Sequence, residues 1–174
     1  MWVAEELEHW REFYLMVGTV GATLLALLFV AVSLGAGYLT EARQTTTRIF
    51  MSPVVIHFTA VFFLSAIALV PSHRTIFFGV LIGATAVTGL AVAGYTTAKI
   101  LRSDVTRYLS DRLAYGLLPA LAYFALLAAT GLVFADDRSA LDVLAGALLL
   151  LTVINIRNAY DLTLAMVHQH KDPV

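Results

Sequence analysis

Long runs of apolar residues dominate the chain, broken by short polar connections. The runs cover about residues 13–38, 54–70, 76–98, 113–135 and 141–162. Each is about 17–26 residues long, which suits a helix crossing a hydrocarbon layer about 30 Å thick. None alternates polar and apolar positions over about ten residues, as a barrel strand does. A segment in lipid must satisfy its own backbone, so runs of this length predict helices. The expected fold is all-α: an integral membrane bundle of five transmembrane helices forming a single domain over residues 1–174, with a short amphipathic segment at the N-terminus.

Local signals set the expected ends. Ser52-Pro53 supplies a capping hydroxyl and a proline for the first turn of the second helix, and Pro71 closes its far end. Ser110-Asp111 offers a cap before the fourth helix, and Pro119 predicts a kink about one turn into it. Ahead of the first run, Val3, Leu7, Trp10 and Tyr14 recur on one helical face. This predicts a surface helix with Trp2 and Trp10 at headgroup level. It is not the start of a signal peptide, because Glu5, Glu6, Glu8 and Glu12 outnumber Arg11.

Composition agrees with this pattern. The 174 residues are 60% hydrophobic and 13% charged, with a mean hydropathy of +0.84. Soluble domains are usually about 45–50% apolar and about 25% charged. The numbers exclude a soluble enzyme and a secreted disulfide scaffold. A net charge of −1 gives no field for nucleic acid. With no cysteine there is no disulfide, thiolate metal site or thiol redox chemistry.

The positions of lysine and arginine predict orientation. With the N-terminus outside, eight of the 11 fall on the cytoplasmic side: Arg43, Arg48, Lys99, Arg102, Arg107, Arg112, Arg157 and Lys171. Arg11, Arg74 and Arg138 fall outside. The excess predicts a bacterial inner-membrane protein with its C-terminus in the cytoplasm.

This topology brings polar residues to the cytoplasmic third of every helix. Ser33 closes the first, His57 opens the second, Tyr95, Thr96 and Thr97 close the third, and Tyr115 opens the fourth. The fifth ends in Asn155, Arg157, Asn158 and Asp161, which share an arc of roughly 160° at 100° per residue. Arg157 and Asp161 are i,i+4 partners. Ionisable groups within a span usually face a bundle interior or a wet cavity. The outer half holds fewer polar groups, namely Thr19, Thr23, Thr130 and Asp142. Interfacial decoration and a snorkelling arginine are the alternative reading of the inner layer. Gly18, Ala22 and Ala26 in the first helix, and Gly79 and Gly83 in the third, form small-residue rows that predict close helix packing, within one subunit or between subunits.

No motif of a hydrolase, phosphate loop, zinc protease or potassium filter is present, so no enzyme and no cofactor is expected. Haem is disfavoured because no second histidine stands at the depth of His57. The segments 13–33, 52–58 and 157–162 resemble small uncharacterised multi-span proteins of bacterial inner membranes. That resemblance implies a membrane bundle and carries no activity with it. The expected role is a channel- or transporter-like pathway for an ion or small solute. Its cytoplasmic mouth would be built from His57, Asn155, Arg157, Asn158 and Asp161, in a protein whose partners are the lipid bilayer and further copies of itself. The alternatives are a non-transporting scaffold or accessory subunit and, behind that, a cofactor-binding redox anchor.

Overall fold

The computed structural model describes the backbone of residues 2–35, 41–71, 74–102 and 113–171, and the side chains of 2–33, 52–71, 74–99 and 114–164. Every element among them is helical. They are α1 (Trp2–His9), α2 (Arg11–Gly35), α3 (Glu41–Ala68), α4 (Thr75–Arg102), a π-helical turn (Leu113–Leu117), α5 (Leu118–Phe134) and α6 (Ser139–Lys171). The expected cap at Ser110-Asp111 and the end of the first run at Tyr38 lie outside the described residues.

Four helices contain segments long and apolar enough to cross a membrane: Arg11–Ser33, Thr75–Lys99, Ala114–Phe134 and Ala140–Leu164. The apolar segment of α3, Ser52–Ala68, is shorter. Large apolar side chains such as Met16, Leu27, Phe29, Ile76, Phe77, Val87, Phe124 and Val153 stand more than half exposed around the helices. A continuous apolar exterior of this kind suits lipid and not water.

One helix start differs from expectation, and another expected helix opens in a wider turn. The second helix does not begin at Ser52-Pro53; it begins at Glu41, and Pro53 lies inside it. Good helix formers precede the proline in Glu41-Ala42-Arg43-Gln44, so the helix propagates through a position that lacks one hydrogen bond. In the fourth run the wide turn at Leu113–Leu117 gives way to α5, in which Pro119 occupies the first turn. Proline brings no N–H to the carbonyl four residues back, and its ring crowds that carbonyl. A π turn relieves the crowding without breaking the path of the helix.

The bundle is held by close backbone approach. α4 runs along α5, α5 along α6 and α2 along α3, while α3 also touches α4 and α6. A Cβ at Gly79 would meet the Phe134 ring at 2.9 Å, and one at Gly83 would meet Thr130 at 3.1 Å. Both glycines of the GxxxG pair therefore pack within one subunit, against α5. A Cβ at Gly18 would meet Ser65 at 2.9 Å, and one at Gly21 would meet Val61 at 3.3 Å. Ala22 is half-buried and Ala26 is exposed. The row at four-residue spacing drifts off the contact because a helix turns in 3.6 residues, and Gly21 takes its place.

The connection between α5 and α6 is closed by polar capping. Asp136 is left-handed, with φ 56°. Asp137 N–H donates to Leu132 O at 3.0 Å and Asp136 N–H to Val133 O at 3.2 Å, which is the double bond of a Schellman cap. Asp137 then accepts from Ser139 N–H at 2.9 Å and starts α6. That bond holds the Asp137 carboxyl below its ordinary value. α1 leans on this turn. Val3 and Leu7 are buried in the main core, Trp2 Nε1–H donates to Asp136 Oδ1 at 2.7 Å, and Arg138 meets Glu6 at 2.9 Å. The expected amphipathic helix is present, but its apolar face and Trp2 are turned to the protein.

Candidate functional site

The residues expected at a cytoplasmic end fall into three groups. The first is self-satisfied. Ser33, Thr96 and Thr97 donate to carbonyls one turn back in their own helices, at 2.8, 2.9 and 2.7 Å. Such bonds let hydroxyls sit in an apolar helix without any partner helix. Tyr95 is exposed, with the Lys99 ammonium 5.0 Å from its ring centre. Of these residues, Thr97 lies against Gly116 of the π turn.

The second group faces outward. Arg157 Nε lies 3.8 Å from Asp161 Oδ2, with side chains 49% and 43% exposed. The i,i+4 pair is formed, yet it stands on the outside of α6 with Tyr160, which is 63% exposed. The arc shared by the four polar residues is thus cut by the packing: Asn155 and Asn158 point in, while Arg157 and Asp161 lie at the surface.

The third group is buried. His57 on α3 is 1% exposed, and its Nδ1 lies 2.7 Å from the hydroxyl of Tyr123 on α5. The two rings are 5.3 Å apart and tilted by 49°. Tyr123 fits because Gly89 of α4 has no side chain, since a Cβ there would fall inside the tyrosine ring. Three helices thus meet at one histidine. Sequence reasoning found His57 but missed its partner. The available signal was a phenol in the middle of an apolar run, because a buried tyrosine hydroxyl usually finds a polar partner.

Asn158 is 1% exposed and joins α6 to the π turn. Its Nδ2–H donates to Ala114 O at 3.0 Å, while Tyr115 Oη–H donates to Asn158 O at 3.1 Å. The proline that widens this turn leaves its carbonyls in need of donors, and the asparagine supplies one. Around the clamp Leu28, Val54, Phe58, Ala114 and Tyr115 form a second apolar cluster. Asn155 is fully buried, with Nδ2–H turned back to Leu151 O at 2.8 Å.

Five buried polar atoms have no hydrogen-bond partner among the described residues: Tyr14 Oη, Ser65 Oγ, His57 Nε2, Asn155 Oδ1 and Asn158 Oδ1. Each such atom costs about 1–3 kcal/mol in a dry interior. They lie on α2, α3 and α6. No group of three or more potential metal ligands occurs among the described residues.

Comparison with protein-family models, with characterised proteins and with solved structures finds no match to this chain.

Proposed function

We propose that five helices, α2 to α6, cross a bacterial inner membrane, with the N-terminus outside and the C-terminus in the cytoplasm. We further propose that the chain provides a pathway for an ion or small polar solute. The supporting observation is the set of five buried, unpartnered polar atoms on α2, α3 and α6. Tyr14, Ser65 and Asn155 make no side-chain hydrogen bond across the bundle, so apolar residues of similar shape would pack there without the desolvation cost. A pathway needs such groups, since they replace water around a passing solute. His57, Asn155 and Asn158 belong to this path. Arg157 and Asp161 stand at its cytoplasmic rim and not within it. Copies of the chain associate through the apolar outer faces.

Two measurements test the reading. Reporters fused after Lys171 and after Lys99 are expected to be active in the cytoplasm, and periplasmic activity at either site refutes the orientation. Purified protein in lipid vesicles is expected to speed the flux of at least one small cation, anion or proton above that of empty vesicles. Vesicles that stay tight to all of them remove the pathway. They would establish the second reading, a non-transporting scaffold or accessory subunit. That reading draws support from the Asn158 clamp, which spends its amide donor on holding helices together.

A further inference from the structure

We infer that the cavity between α1 and the end of α3 holds the headgroup of a phosphatidylethanolamine from the surrounding membrane. This rests on the helices crossing a membrane and is independent of any pathway through the bundle.

The cavity has a volume of about 210 Å³. That is several times the roughly 30 Å³ of a water molecule and below the roughly 300–1,000 Å³ of a pocket for a drug-sized ligand. It suits a polar group of a few heavy atoms whose remainder lies outside. Leu7, Glu8 and Arg11 line one side, and Ala68, Leu69 and Val70 line the other. Glu8, Arg11 and Val70 are exposed at the mouth. The apolar span of α2 begins at Arg11, and the apolar segment of α3 ends at Ala68. In a membrane the cavity therefore stands where both helices leave the hydrocarbon, at headgroup depth. About one turn further in than Arg11, Leu15 and Met16 are more than half exposed, and Phe62 and Phe63 of α3 are exposed as well. Acyl chains below the headgroup thus have apolar surface to lie against.

The walls offer partners to both signs of charge. A guanidinium nitrogen of Arg11 lies 3.7 Å from a carboxylate oxygen of Glu8, with side chains 67% and 76% exposed. That separation is longer than a hydrogen bond, so both heads keep their donors and acceptors for a ligand. On another face of α1, Glu6 is engaged by Arg138 at 2.9 Å. The opposite wall is the end of α3. Leu69 N–H donates to Ala66 O at 3.2 Å and Val70 N–H to Ile67 O at 3.0 Å, so the helix tightens as it stops. Pro71 brings no N–H, and the last carbonyls of a helix carry its negative end. Arg11 is therefore suited to an anion, and Glu8 with the α3 carbonyls to a cation that bears N–H bonds.

Phosphatidylethanolamine supplies both. Its phosphate accepts from the guanidinium of Arg11. Its ammonium, two carbons away, donates to Glu8 and to the carbonyls at the end of α3. Phosphatidylcholine has the same charges but no N–H to donate. Phosphatidylglycerol brings a net negative charge to a site that already holds Glu8 and the negative end of a helix.

The test uses the full chain taken from alkali-washed membranes and stripped of lipid in maltoside. Recovery of the chain in the alkaline wash instead of the membrane pellet overturns the membrane reading and the site with it. Thermal unfolding is then followed as phospholipids of one acyl composition are added. At about 100 times its Kd, phosphatidylethanolamine is expected to raise Tm by roughly 5–10 °C, and phosphatidylcholine and phosphatidylglycerol by clearly less. Glycerophosphoethanolamine, the same headgroup without acyl chains, is expected to leave Tm unchanged. Glu8 and Arg11 are exposed, so their replacement leaves the fold intact. Arg11→Gln is expected to lower the shift given by every phospholipid. Glu8→Gln is expected to remove the advantage of phosphatidylethanolamine over phosphatidylcholine, and Glu8→Lys to move the preference to phosphatidylglycerol. Lys99→Gln, at the other end of the bundle, keeps the wild-type preference. Equal shifts from the three lipids, equal protection by glycerophosphoethanolamine, or a preference unchanged in the Glu8 variants overturns the site and leaves the membrane bundle standing.

Discussion

Replacing Gly89 by alanine tests the packing that holds the histidine. Alanine is the better helix former by about 1 kcal/mol, so at an open site the change stabilises. Gly94 is such a site, with nothing within 4 Å of a new Cβ. At Gly89 the new methyl falls inside the ring of Tyr123, at three of its carbons. The ring is fully buried between α4 and α3, with its hydroxyl bonded to His57. It cannot swing outward, so either the helices separate or the phenol leaves the imidazole. Overpacking of this kind costs about 1–3 kcal/mol. Loss of the hydrogen bond adds about 0.5–1.5 kcal/mol. After the gain in propensity, a net loss of about 2 kcal/mol is expected. For a chain of this size that lowers Tm by roughly 4–8 °C. The assay is thermal unfolding in detergent followed by circular dichroism, with Gly94→Ala as the control that should hold or rise. The double variant Gly89→Ala with Tyr123→Leu should recover stability relative to Gly89→Ala, because the shorter side chain vacates the space. A Gly89→Ala melt at or above wild type would show that the α4–α5 contact is looser than described, and the three-helix junction at His57 would fall with it.

Three further outcomes are expected. Asp161→Ala should change stability by no more than about 1 kcal/mol in the same melt, because the pair with Arg157 is half-exposed; a loss of about 3–5 kcal/mol would mean the pair is buried in the assembled protein. Asp136→Asn should keep both the left-handed turn and the bond to Trp2, whereas Asp136→Ala should lose the bond, keep the backbone strain, and speed trypsin cleavage after Arg11; equal cleavage of the two variants would refute the docking of α1. The Asp137 carboxyl titrates below its ordinary value when folded, so its contribution is complete at neutral pH and is lost as pH falls below about 4; the stability gap between wild type and Asp137→Ala should therefore shrink on acidification, and a gap that widens would contradict the cap.

The helical class and the apolar runs were legible because hydropathy over some 20 residues is a sum, insensitive to any one neighbour. The start of α3 was not. Ser52-Pro53 has the form of a cap, but the helix-forming residues from Glu41 onward decide the matter, and capping rules do not weigh them against a proline. The inner polar layer was legible as a depth and illegible as a site. Depth follows from counting residues along each run. Which way a side chain points depends on which neighbour the helix packs against, and a helix with polar residues over a wide arc does not reveal that. Arg157 and Asn158 are adjacent in sequence, yet one is at the surface and the other in the core. Likewise Gly79 and Gly83 announced a close contact, but only the position of α5 made it a contact within the subunit.

The burial of α6 explains why its two asparagines have different roles. Over its apolar window 56% of α6 is buried, against 22% of α2, so α6 is the central helix and α2 a peripheral one. A polar residue on α2 can face lipid headgroups or bond back to its own helix. On α6 a buried polar residue bonds back to its own helix, as Thr152 does to Leu148, or finds a partner across the bundle. Asn158 has found one: its amide donates to Ala114, and its backbone carbonyl accepts from Tyr115, so removing it releases the proline-widened turn. Asn155 sits nearly a turn closer to the middle and bonds only to Leu151 of its own helix. Its oxygen contributes nothing to holding α6 against α3 or α5. Of the two, Asn155 is therefore the residue whose polarity the fold does not require, and the one through which a solute interacting with the interior of α6 would be felt.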